Sequence, residues 1–207
     1  MGYRNFKIAI YCPVANINSI DSIKEFDRSF GFIEKHFKPD KVYLETFRDG
    51  KTVENDKLLL LKNYFESKGI KTSGGITTSL ASDKAFRSMC FTNEKDKKTL
   101  KSIVVYTANI FDEIILDDFY FTNCKCSSCI DAKGDSTWAE FRTELMKNIS
   151  ADCVIKPAKE VNPYINLIIK YPNWYEHYQE TGYNLKDEPV LFDMIYTGTE
   201  TRDPQHT

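Results

Sequence analysis

Apolar residues recur along this chain in two alternating rhythms, and the alternation predicts its architecture. Phe6 to Val14 (FKIAIYCPV) is a short apolar run rich in strand formers. After Asn18 and Ser19 the spacing changes, and Ile23, Phe26, Phe30, Ile33 and Phe37 fall on one helical face. The pair of rhythms then repeats. Lys41 to Phe47 (KVYLETF) reads as a second strand, and Val53 to Ser67 as a helix with Leu58, Leu61, Tyr64 and Phe65 on one side until Gly69 stops it. Ile70 to Thr78 is a weaker third strand interrupted by Gly74 and Gly75. Glu94 to Phe111 is a long helix, and Glu113 to Leu116 begins a fourth strand. Downstream, Ser136 caps a helix carrying Trp138, Phe141, Leu145 and Met146. Tyr164 to Tyr171 (YINLIIKY) is a fifth strand and Phe192 to Thr197 (FDMIYT) a sixth.

Strands alternating with helices at this interval imply an α/β fold with a parallel sheet covered by helices. Either an open doubly wound sheet or a (β/α)8 TIM-type barrel satisfies that pattern. No G-x-G-x-x-G follows the first strand and no Walker sequence occurs, so nucleotide-binding open sheets lose support. In a barrel, function gathers at the C-terminal ends of the strands. Unusual polar residues stand there: Glu45 after strand two, Asp117 and Asp118 after strand four, Lys170 and Trp174 around the end of strand five, and Glu200, Arg202 and Asp203 after strand six. A full barrel takes about 250 residues and eight βα units, whereas this chain offers about six. The expectation is one domain over 1–207, an incomplete barrel that lacks its last strands or is completed by a partner.

Composition narrows the partners. With 207 residues, 42% of them hydrophobic, the chain can bury a real core, and a net charge of −2 gives no reason to expect nucleic acid. Basic residues are interleaved with acids, as in EKDKKTLK, which is the pattern of a solvated helix face. No run approaches a membrane span, and KIAIYCPV is too short and wrongly flanked for a signal peptide. An export signal trimmed before Met1 leaves the compartment open.

The candidate chemistry is concentrated between Phe111 and Cys129, FDEIILDDFYFTNCKCSSC. Cys124, Cys126 and Cys129 form C-x-C-x-x-C, and Cys90, in SMCFTN, is the candidate fourth ligand of a tetrahedral zinc site. Four thiolates leave no position for water, so such a zinc is structural. Disulfides or idle reduced thiols are the competing readings, but bridges inside so short a motif are cramped. Cys12 and Cys153 read as small buried hydrophobes. The three histidines, His36, His177 and His206, form no H-E-x-x-H, and no G-x-S-x-G is present, which disfavours a histidine-bound catalytic zinc and a serine hydrolase.

CFTNEKDKKTLKSIV, DEIILDDFYFTNCKCSSC and STWAEFRTELM resemble the central part of the zinc-containing β-galactosidases of glycoside hydrolase family 42, roughly over residues 88–146. More broadly the chain resembles bacterial glycosidase-like barrels with LDDF-type strand ends. The resemblance implies a barrel, a carbohydrate substrate, and zinc at Cys90, Cys124, Cys126 and Cys129. It also departs from that family, whose fourth strand ends in Asp-Asn-Glu with Glu as the acid. This chain has Asp117-Asp118-Phe119, so neither that acid nor that substrate transfers.

Glycoside hydrolysis needs two carboxylates across the sugar. Asp117 or Asp118 is the expected first, because adjacent acids closing an apolar strand repel each other and raise one pKa. Glu200 is the expected second, with Arg202 holding a neighbouring carboxylate ionised. Glu45 and Lys170 are expected to contact substrate, and Tyr171, Trp174 and Tyr120 to offer aromatic faces. The acids should open into one cavity with Tyr171 or Trp174. The alternative reading is a non-catalytic carbohydrate-binding or structural barrel remnant.

Overall fold

The computed structural model describes residues 4–81, 87–172 and 178–198. The expected strands form with trimmed ends: β1 (Ala9–Cys12), β2 (Lys41–Arg48), β3 (Lys71–Ile76), β4 (Glu113–Leu116), β5 (Asn166–Tyr171) and β6 (Met194–Thr197). All pair in parallel and in chain order, β1 through β6. A doubly wound sheet reverses its strand order. Here the order never reverses and β6 does not return to β1, so the sheet curls as a half-barrel.

The helices of six or more residues are α1 (Ile23–His36), α2 (Asn55–Ser67), α3 (Glu94–Ala108), α4 (Ser127–Lys133), α5 (Trp138–Ile149) and α6 (Lys156–Val161), with shorter ones at Val14–Asn18 and Tyr178–Thr181. A π-helical stretch, Ser150–Ile155, joins α5 to α6. Helix α2 ends where Gly69 takes φ 71°, a conformation that favours glycine. Helix α5 is capped by Thr137, not Ser136: its hydroxyl accepts from Glu140 N–H while the Glu140 carboxylate accepts from Thr137 N–H, a reciprocal box that Ser136 is one residue too early to form. No helix among the described residues is long and apolar enough to cross a membrane.

Strand alternation sorts the side chains into two faces. Val42, Leu44, Ile76, Ile114, Leu116, Leu167 and Ile169 face the helices, where they meet Phe30, Leu58, Leu61, Phe65, Leu100, Val104, Met146 and Ile149 in two buried clusters. The helix layer comes very close at Gly74, where an added Cβ would lie 2.3 Å from Thr107 Cγ2 and 3.0 Å from a Phe111 ring carbon. The other face is the barrel interior. It is layered, with Lys41, Ser73, Glu113 and Asn166 hydrogen-bonded at the N-terminal end. Tyr43, Ile115, Ile168 and Tyr196 pack in the middle. Polar residues crowd the C-terminal end.

Candidate active site and cysteine cluster

That polar crowd contains the acids singled out from sequence. Asp117 continues the inward parity of Glu113 and Ile115 and lies 7% exposed. Its Oδ2 accepts from Arg48 Nη2 at 3.1 Å and its Oδ1 from Lys170 Nζ at 3.2 Å. Lys170 Nζ also lies 3.1 Å from Asp118 Oδ2, so one ammonium bridges both acids. Asp118 is 1% exposed, and its carbonyl accepts from the Tyr183 hydroxyl. Burial and the neighbouring Asp118 push the Asp117 carboxyl above its usual range, with Lys170 acting against them. Burial opposes the Lys170 charge, yet Asp117 and then Asp118 raise it overall.

Glu45 belongs to the same cluster in a different capacity. It is fully buried, and its oxygens accept from the Tyr11 and Thr77 hydroxyls, the Val14 N–H and Arg48 Nε. Its carboxylate is spent inside the protein, holding Arg48 toward Asp117. Arg48 was not singled out from the sequence. In an unbroken strand Glu45 and Arg48, three apart, would face opposite sides; the register shift between Glu45 and Phe47 returns Arg48 to the interior.

Tyr171 stands elsewhere. It follows Lys170 directly, so alternation turns it toward the helices, where it is 4% exposed, donates to Glu188 and packs edge-on to Tyr183. The expectation of a Tyr171 sugar platform beside the acids is therefore corrected. Tyr120 is likewise buried, its hydroxyl 3.0 Å from Ser150 Oγ. Glu188, the acceptor of both Ser150 and Tyr171, is a buried acid missed in the sequence; burial pushes its carboxyl up to about 7. Glu200, Trp174 and Arg202 lie outside the described residues. A cavity of about 1020 Å³ opens at the opposite, N-terminal end of the strands, lined by Lys41, Glu113, Asn166 and Tyr196, among others. It is the floor of the unclosed barrel and holds none of the candidate acids.

The four expected cysteines meet a short way along the chain from the acids. Cys90 lies just ahead of α3, Cys124 in the loop after β4, and Cys126 and Cys129 at the start of α4. Their sulfurs lie within 4.8 Å of one another. Cys90 to Cys126 is 3.7 Å, and both Cys90 to Cys129 and Cys126 to Cys129 are 3.6 Å. A disulfide needs about 2 Å. Four sulfurs at about 2.3 Å from a central ion stand about 3.8 Å apart along a tetrahedron's edges, so the donor set fits a metal ion. The Cys129 and Cys126 environments differ: burial raises the Cys129 thiol to about 12, whereas the Cys129 backbone N–H lowers the exposed Cys126 thiol to about 7.

Comparison with known proteins supports the half-barrel fold and gives the family. The model of a family described as probable glycosyl hydrolase, catalytic domain, matches residues 1–207. The chain belongs to this family. An uncharacterised protein of Saccharolobus solfataricus is 27% identical over 230 residues, an alignment taking in 97% of this chain and 38% of that protein. Among solved structures, the exo-β-1,4-mannosidase Op5Man5 from Opitutaceae bacterium strain TAV5 superposes with a TM-score of 0.57 at 13% identity, over 92% of this chain and 38% of that one. The mannosidase likeness speaks to the fold alone. In both comparisons the chain spans well under half of its relative's length.

Proposed function

We propose that residues 1–207 are one partial-barrel catalytic domain of a glycoside hydrolase, with the chemistry at Asp117, Asp118 and Glu200. The observation that carries the reading is the acid pair at the C-terminal end of β4, on the interior face, with Lys170 bridging it and Arg48 on Asp117. Burial beside a second carboxylate suits Asp117 to hold a proton for a leaving oxygen, while Lys170 and Arg48 stabilise charge once the proton is given up. Glu200 stands two residues beyond Gly198, whose N–H bonds the Tyr171 carbonyl at the same strand ends, and is the candidate for the opposing carboxylate. Trp174 and Arg202 remain candidates for binding the sugar. At the cysteine cluster we propose one structural zinc per chain, because four thiolates at tetrahedral spacing close the coordination sphere. The spacing of these cysteines is also the part of the chain closest to the zinc-containing β-galactosidases.

A second reading has a specific observation in its favour. Asp117 and Asp118 are almost wholly buried and already neutralised by cations, as structural acids of a non-catalytic barrel would be. One assay decides between them: hydrolysis of a panel of aryl glycosides by the protein in its full natural length. With a hydrolysed substrate in hand, Asp117→Asn or Asp118→Asn should lower turnover about 10²–10⁴-fold, and Glu200→Gln comparably. Near-normal turnover in both aspartate variants makes the acids structural.

A further inference from the structure

Arg142 lies on α5 and is 4% exposed. A buried guanidinium is ordinarily paired with a carboxylate. Among the described residues Arg142 forms no such ion pair. Instead Nη2 donates to the Cys124 carbonyl at 2.9 Å, Nη1 to the Glu180 carbonyl, and Nε is buried with no hydrogen-bond partner. Its planar face lies on the Trp138 ring, 4.4 Å from the centroid, one turn back on the same helix. Lys125 and Lys133 approach that ring too, at 5.6 and 5.7 Å. Three cations thus gather around the Trp138 ring, and one of them, Arg142, holds the Cys124 carbonyl.

The charge balance gives this placement a purpose. Four thiolates around a divalent ion leave a net charge of about −2, and half-buried charge of that size is costly unless an opposite charge is held close by. We propose that Arg142 is the counter-charge of the four-thiolate centre at Cys90, Cys124, Cys126 and Cys129, and clamps the Cys124 loop onto it. The inference rests on the zinc reading of that cluster. It explains why a buried arginine has no carboxylate: the anion it serves is the metal centre. It also explains the choice of arginine, since a planar fork reaches two carbonyls and stacks on Trp138 at once, which an ammonium cannot do.

The test reads metal affinity, not catalysis. Zinc is first counted in wild-type protein purified without added metal, and Zn²⁺ is then competed away with a chromophoric chelator from wild type, Arg142→Met and Arg142→Lys. The expected result is about one zinc per wild-type chain, a roughly 10–100-fold weaker hold in Arg142→Met, and a smaller loss in Arg142→Lys, which keeps the charge. A zinc-loaded Arg142→Met with wild-type affinity overturns the proposal, as does an equal loss in both variants. If the methionine variant does not fold even in excess Zn²⁺, the lysine variant decides: affinity within about threefold of wild type supports the counter-charge, and a greater loss overturns it. Wild-type protein that binds no metal removes the centre itself and this role with it, a result distinct from a metal-bound centre indifferent to Arg142.

Discussion

Glu188 shows how a single residue can make the whole chain sensitive to pH. It is buried against Ser150 and Tyr171, whose hydroxyls donate at 2.6 and 3.1 Å, with no cation among its hydrogen-bond partners in the described residues, and burial pushes its carboxyl up to about 7 where 4.5 is ordinary. The folded chain therefore binds this proton more tightly than the unfolded chain does. The stabilisation is fully present below about pH 4.5 and is lost as pH rises through about 7, up to about 3 kcal/mol in all. Glu188→Gln is neutral throughout, so urea denaturation should show the variant gaining on wild type between about pH 5 and pH 8. Stability curves that stay parallel across that range would refute the assignment. At this scale the sequence was partly legible. The burial of Tyr171 could have been read from its position next to Lys170, since neighbours on a strand cannot share a face. The partnership of Arg48 with Glu45 could not, because it depends on a bulge that has no signature in the residue types around it. Glu188 was hidden as well, standing in a turn-rich stretch with no periodicity to mark it as buried.

At the scale of elements, the long apolar rhythms gave the parallel strands and the major helices, with errors confined to their ends. What escaped were pairings too short to carry a period: Lys51–Thr52 against β2, and the ribbon of Ser79–Leu80 with Arg87–Ser88. The π-helical stretch escaped too, because its slip of register lies inside one continuous helical run, Trp138 to Val161. Glycine carries a different kind of information. Gly74 looked like a weakness in the third strand, and it is instead the place where α3 sits against the sheet. Gly74→Ala should drive its methyl into Thr107 and Phe111 and cost about 1–3 kcal/mol. Gly31, with nothing within 4 Å of an added Cβ, is the control: Gly31→Ala, inside α1, should be neutral or gain up to about 1 kcal/mol. Thermal unfolding of the two variants checks the contrast. Equal melting temperatures would mean that the helix layer yields at Gly74 and that the contact is not a constraint.

At the scale of the whole molecule, the described residues form a barrel wall with an edge strand at each end. The strand order leaves the outer sides of β1 and β6 unpaired among the described residues. Along β6 the edge is apolar as well, with Met194 42% and Ile195 47% exposed and Val190 exposed just ahead of them. An unpaired, apolar strand edge is a template for another strand, and in a closed barrel two further strands would cover both edges. Only the number of strands legible in the chain warned of this; which side chains would be left bare depended on the register of β6, which periodicity over four residues cannot fix. The 207-residue chain studied by itself should consequently self-associate through β6. Ile195→Lys should suppress this, since a lysine on a bare edge blocks strand addition while its exposed, outward position costs the fold little. Light scattering across a concentration series should show wild-type mass rising and the variant remaining monomeric, at similar melting temperatures. Association that continues unchanged in the variant would place the contact elsewhere on the surface, and a monomeric wild type would mean that the open edge is tolerated as it stands.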